Sequence, residues 1–172
     1  MNKLLYVVFF FLFSCAGFND TIDDLGEGFY FKNEGTGSNY IFWGKKNKKG
    51  VLPIEKILVL SDIVGYFIED NYIIIKQKPN IRGIKYHLLY LDEEYNYLNK
   101  NSNSLVNYEL NSTKLDSILK TNTYYINILK NEINYYIIDK SNKKSYGPYN
   151  KVNFDLVRKR LMILKGFQNE KI

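Results

Sequence analysis

The side chains able to do chemistry are few: one cysteine, Cys15, and one histidine, His87, in a chain of 172 residues. A lone imidazole excludes multi-histidine and cysteine–histidine metal sites, so a bound zinc would rest almost wholly on carboxylates. No metal and no other cofactor is expected. A Ser-His-Asp hydrolase would have to use His87. That residue lies in the apolar run Tyr86-His87-Leu88-Leu89-Tyr90-Leu91, whose composition reads as a strand closed by Asp92-Glu93-Glu94. An imidazole packed in a sheet, or facing solvent from it, is the expectation there. Paired carboxylates can do general acid–base work, as in glycosidases, and Asp23-Asp24 and Asp92-Glu93-Glu94 are the candidates. Both sit at turn-like positions where acids recur for local reasons. Asp92-Glu93-Glu94 also lacks the alternating oxygen ligands of a calcium loop. No catalytic residue is assigned, and an envelope enzyme using acidic residues stays as an alternative only.

Cys15 has clearer chemistry. Lys3 precedes an unbroken apolar run, Leu4 to Phe13, too short to span a bilayer as a helix, which takes about 20 residues, but the length of a secretory signal core. Leu12-Phe13-Ser14-Cys15 resembles the bacterial lipobox, a leucine three places before a cysteine with a small residue between; Phe13 is bulkier than the usual occupant. The resemblance implies cleavage between Ser14 and Cys15, a diacylglycerol on the Cys15 thiol and an acylated new amino group. Several acyl chains make a stable anchor where one does not. An uncleaved membrane anchor, or a secreted protein with an unrelated cysteine, are the competing readings. With Cys15 modified, no disulfide staple remains, so the exported domain must stand on its core.

Residues 1–14 are thus read as signal peptide, 15–25 as lipidated cysteine and tether, and 26–172 as one globular domain. A chain of about 150 residues buries roughly 68–70% of its unfolded surface, enough without staples. Aromatics make up 16% of the chain, including 16 Tyr and 11 Phe, which favours strands. The net charge of +6 comes almost entirely from lysine, with Arg82, Arg158 and Arg160 the only arginines. It arrives with the Asn, Ile and Tyr that AT-rich codons also encode, so it does not argue for nucleic acid, which is not expected as a partner.

Phe29-Tyr30-Phe31 and Tyr40-Ile41-Phe42-Trp43 around Gly35-Thr36-Gly37-Ser38 read as a hairpin. The Gly-x-Gly pairs lack the further glycine and helix of a phosphate loop. Gly44 to Gly50, holding Lys45, Lys46, Lys48 and Lys49, is a solvated loop, with contact to anionic headgroups as its functional reading. Val64–Ile68 and Tyr72–Gln77 form an antiparallel pair around Glu69-Asp70-Asn71. The run Ile73-Ile74-Ile75 has no alternation, as in a strand covered on both faces. Pro79 to Gly83 breaks it. Leu115, Ile118 and Leu119 share a helix face with Ser112 or Thr113 as cap and a stop near Thr121-Asn122-Thr123. Tyr135–Asp139 is a strand, and Ser145-Tyr146-Gly147 its return, stopped by Pro148. Asn150 caps a last helix with Phe154, Val157, Leu161 and Leu164 inward, Arg158-Lys159-Arg160 largely outward and Gly166 as its stop. The fold class is α+β: mainly antiparallel sheet of six to eight strands in hairpins or a meander, with the C-terminal helix packed on it.

Three segments together, 24–31, Leu52-Pro53 to Gln77, and Tyr136-Ile137-Ile138-Asp139 to Tyr146-Gly147-Pro148 with its helix, resemble a family of small bacterial lipoproteins known as domain of unknown function family 3997. The resemblance implies location and fold and brings no activity, ligand or catalytic residue. The expected protein is a lipid-anchored domain of the bacterial cell envelope, facing outside the cytoplasm, with a non-enzymatic binding or structural role. Its partners would be the membrane, through the lipid on Cys15, and an envelope protein. Tyr135, Tyr136 and Tyr146 form a candidate recognition surface, against cross-strand packing as the plainer reading. An immunity-type lipoprotein neutralising a toxin is the first alternative.

Overall fold

The computed structural model describes residues 20–34, 38–90 and 106–167. The apolar amino-terminal segment with Ser14 and Cys15, read as a signal peptide, Gly35-Thr36-Gly37, read as a turn, and residues 91–105 with their acidic cluster lie outside the described residues. Eight strands form two four-stranded antiparallel sheets, each a simple meander in chain order. The first holds β1 (Thr21–Gly26), β2 (Phe29–Glu34), β3 (Ser38–Trp43) and β4 (Lys56–Val59). The second holds β5 (Ile63–Glu69), β6 (Tyr72–Gln77), β7 (Asn134–Asp139) and β8 (Lys144–Tyr149). Among the described residues three helices interrupt the second sheet between β6 and β7: α1 (Ile81–Tyr90), α2 (Val106–Thr121) and α3 (Thr123–Leu129). A fourth, α4 (Lys151–Arg160), closes the described chain. Among the described residues no helix is long and apolar enough to cross a membrane. The α+β class with a C-terminal helix on the sheet is as expected.

The sheets face each other. Phe29, Ile41 and Val59 from one and Ile73, Ile75, Tyr136 and Ile138 from the other make a shared core. The period of two in a strand sends the residues between them to the opposite face, where Ile74, Tyr135 and Ile137 meet Phe154 of α4. Ile73, Ile74 and Ile75 are all fully buried, because β6 has apolar layers on both sides. At about 1.5–3 kcal/mol for each such side chain buried, this triplet is the densest investment in the fold. Gln77, Asn134 and Tyr136 tie the layers: the Gln77 amide donates to the Leu60 carbonyl at 2.8 Å, while its oxygen accepts from Asn134 at 2.9 Å and Tyr136 at 3.0 Å. Every partner is buried, so the network sets register and holds the β4–β5 link in place.

Several expectations need correction. Residues 21–25, read as tether, belong to the edge strand β1, paired with β2 from Thr21↔Asn33 to Gly26↔Phe29. Its polar residues face outward, as an edge allows. The β1–β2 turn takes the left-handed Glu27 and Gly28, at φ 56° and 84°. The run from Tyr86 is not a strand over its described residues, which belong to helix α1. The Asn80 side chain accepts the Arg82 amide at 3.0 Å and caps it. Ile84 and Leu88, four apart, then meet Leu115, Leu119 and Ile128, and this packing overrides the strand preference of the tyrosines. Helix α2 begins at Val106, before Ser112 and Thr113, yet buries Leu115 and Leu119 as expected. It stops at Thr121, and Asn122 caps a new helix by accepting the Tyr124 amide at 2.9 Å. Strand β8 runs through Pro148 to Tyr149; an edge strand tolerates the missing donor. Asn150 caps α4 as expected, accepting the Asn153 amide at 2.9 Å. The helix ends at Arg160, short of Gly166, so Ile163 turns inward and Leu164 is 85% exposed.

Candidate functional site

His87 is buried, and it sits between the two sheets' connecting segments rather than in a strand. Gly83, one turn before it on α1, makes this approach fit: a Cβ there would stand 2.7 Å from the Ser61 Cβ. The imidazole edge meets the Tyr40 ring at 4.6 Å between centroids, near perpendicular at 83°. Its Nε2 lies 3.1 Å from Ser38 Oγ and 3.3 Å from Ser61 Oγ, and the two hydroxyls are 3.1 Å apart.

Ser61 Oγ donates its one proton to the Asn39 carbonyl at 3.0 Å and accepts the Asn39 amide at 3.2 Å. Towards the imidazole it can only accept, whereas Ser38 Oγ can either donate to Nε2 or accept from it, so the serines suit both neutral tautomers. Nδ1 is buried and has no partner among the described residues. Burial chiefly, with Lys32 adding and Glu34 opposing, pushes the His87 imidazole down to about 4. It is therefore neutral at ordinary pH. Beside it Glu34 Oε1 accepts Lys32 Nζ at 2.6 Å and the Tyr40 hydroxyl at 3.1 Å. Burial first, and then this carboxylate, push the Tyr40 phenol far up.

A nucleophile–base pair needs a bare Nε2 facing an exposed serine, with Nδ1–H held by a carboxylate. Here Nδ1 has no partner among the described residues, and Ser38 and Ser61 are buried. The imidazole stands instead in a low-dielectric wall. That wall borders a cleft of about 610 Å³ between β4, β8 and the helices, lined by Ile57, Leu60, His87, Leu88, Tyr124 and Tyr136 among others. The volume lies within the range of small-ligand sites, and the lining mixes these apolar groups with Glu55, Lys56 and Ser145.

The tyrosines singled out from the sequence do not share one surface. Tyr135 is buried on the α4 side, stacked on Phe154 at 4.8 Å. Its neighbour Tyr136 is buried on the opposite face and bonded to Gln77, and it lines the cleft. Tyr146 is the exposed one, on edge strand β8, within 3.3 Å of the Asn142 amide. Strand alternation separates adjacent residues in this way, so cross-strand packing explains the first two. Asp23 and Asp24 each have a partner of their own: Asp23 accepts the Tyr66 hydroxyl at 2.8 Å, and Asp24 accepts the Gly26 amide at 2.8 Å in the turn. Burial, and then that bond to Asp23, push Tyr66 up to about 12. Among the described residues no group of three or more His, Cys, Asp or Glu could hold a metal. No family model, no curated protein and no solved structure matches this chain.

Proposed function

We propose that the protein is a lipid-anchored binding domain of the bacterial cell envelope, held by acyl chains on Cys15 and binding through the cleft beside His87. The observation that carries the binding role is the cleft itself, about 610 Å³ and walled by Tyr124, Tyr125 and Tyr136 beside His87. The anchor rests on Leu12-Phe13-Ser14-Cys15, and the resemblance to the lipoprotein family numbered 3997 belongs to the same reading. A photoreactive residue at Tyr124, crosslinked in intact cells and analysed by mass spectrometry, tests it. The expected result is an envelope component whose yield falls when Ile57→Trp fills the cleft. Recovery of nothing above background, or a yield indifferent to Ile57→Trp, counts against the binding role.

A further inference from the structure

The segment after α4 is built to hold two apolar side chains in water. Arg158 Nη1 donates to the carbonyls of Ile163, Leu164 and Lys165 at 3.0, 2.9 and 3.3 Å. From the other side the Glu69 carboxylate accepts the Leu164 and Lys165 amides at 2.8 and 2.9 Å. Ile163 is buried, and Phe167 packs edge-on against Phe67 at 5.1 Å. Pinned by these contacts, the backbone turns Met162 and Leu164 outward, 82% and 85% exposed. Scattered exposed apolar residues are ordinary, but α4 just before them carries two more. Val152 and Leu156, four apart, share its outer face and are exposed. At 1.5 Å per residue the ten-residue helix is about 15 Å long. The other exposed positions of 151–165 are Asn153, Lys159, Arg160 and Lys165. Four large apolar groups are thus flanked by three cations, with no exposed acid among them. The acids nearby are engaged: Glu69 by the two amides, and Asp155 by Lys151 at 2.9 Å and Arg158 at 3.4 Å.

We propose that the outer face of α4 and the 162–165 turn form a docking surface for an anionic lipid bilayer. Apolar side chains entering the acyl boundary with cations at headgroup level is the arrangement of interfacial helices, and Lys and Arg stems reach outward while their heads stay wet. Charge selects this occupant over a second copy of the chain: a twofold contact would set the same three cations against themselves. The Lys45–Lys49 loop has more cations but no large apolar side chain within residues 44–50, so it offers headgroup attraction alone. The proposal does not rest on the acyl anchor.

The test uses residues 16–172, which contain every described strand and helix but neither Cys15 nor the apolar leader. Failure here leaves the anchor untouched, and failure of acylation leaves this surface untouched. Sedimentation is measured with vesicles of phosphatidylglycerol and phosphatidylcholine in equal parts, and with phosphatidylcholine alone. The expected result is binding to the mixed vesicles, weakened about tenfold by each of Met162→Asp and Leu164→Asp. Each of Lys159→Gln, Arg160→Gln and Lys165→Gln should weaken it about fivefold. All five side chains are exposed, so far-ultraviolet dichroism of each variant should match the parent. Absent or equal binding to both vesicles overturns the proposal, as does indifference to Met162→Asp and Leu164→Asp. So does an equal loss when Lys45, Lys46, Lys48 and Lys49 become Gln. A dimer in solution dissolved by Met162→Asp, or an acidic protein ligand competing for the same residues without vesicle binding, would also overturn it.

Discussion

Lowering the pH should destabilise the fold through His87. Folded, the imidazole titrates at about 4; unfolded, at its ordinary 6.5. The folded state therefore binds fewer protons, and the stability tied to the neutral imidazole is present above the unfolded value and lost as pH falls towards the folded one. A gap of roughly two and a half units, at about 1.4 kcal/mol each, sets a limit of about 3 kcal/mol. About 2 kcal/mol of it falls between pH 7 and pH 5, a window in which ordinary carboxylates stay largely ionised. The groups facing the ring that carry charge are Glu34, which favours the imidazolium, and Lys32, which disfavours it; burial outweighs both. Urea unfolding followed by dichroism at pH 7, 6 and 5 reads the effect as a midpoint drop of roughly 1 M, for a slope of about 1–3 kcal/mol per molar. His87→Gln keeps a donor for the serines and does not titrate, so its midpoint should stay nearly constant over the same range. Parallel pH slopes for the parent and His87→Gln would refute the buried neutral imidazole.

Phe154→Ala removes a fully buried ring stacked on Tyr135 and should cost about 3–5 kcal/mol, read as a lower urea midpoint at unchanged slope. Gly83→Ala should also destabilise, by about 1–3 kcal/mol, although alanine is the better helix former by about 1 kcal/mol. The new Cβ would meet the Ser61 side chain, and α1 must retreat from the serines. A midpoint that rises in Gly83→Ala would show that the approach of α1 is not tight.

Legibility followed the range of the cause. Strands β2, β3, β6 and β7 and the Asn150 cap depend on their own residues, and they are evident in the sequence. Ile73-Ile74-Ile75 announced two-sided cover by lacking alternation. Helix α1 was hidden because Tyr86, Leu89 and Tyr90 mimic a strand, while what makes it helical is the Asn80 cap and the distant partners Leu115 and Ile128. Leu164 misled differently. It continues the spacing of Phe154, Val157 and Leu161, but Arg158 and Glu69 capture the backbone and end the helix early. The candidate site was illegible: Ser38 and Ser61 stand 49 and 26 residues from His87, and no local pattern links a turn serine to a helical histidine. Among the residues chosen from sequence, Tyr136 alone of the tyrosines reached the cleft.

The lipid anchor is tested most directly by the mass of the amino-terminal peptide from protein made in a bacterial host that processes lipoproteins. The account predicts a chain that begins at Cys15 and carries a diacylglycerol on its thiol, and that leaves the membrane fraction when Cys15→Ala is introduced. A chain still beginning at Met1, or one with an unmodified Cys15 thiol, would contradict it.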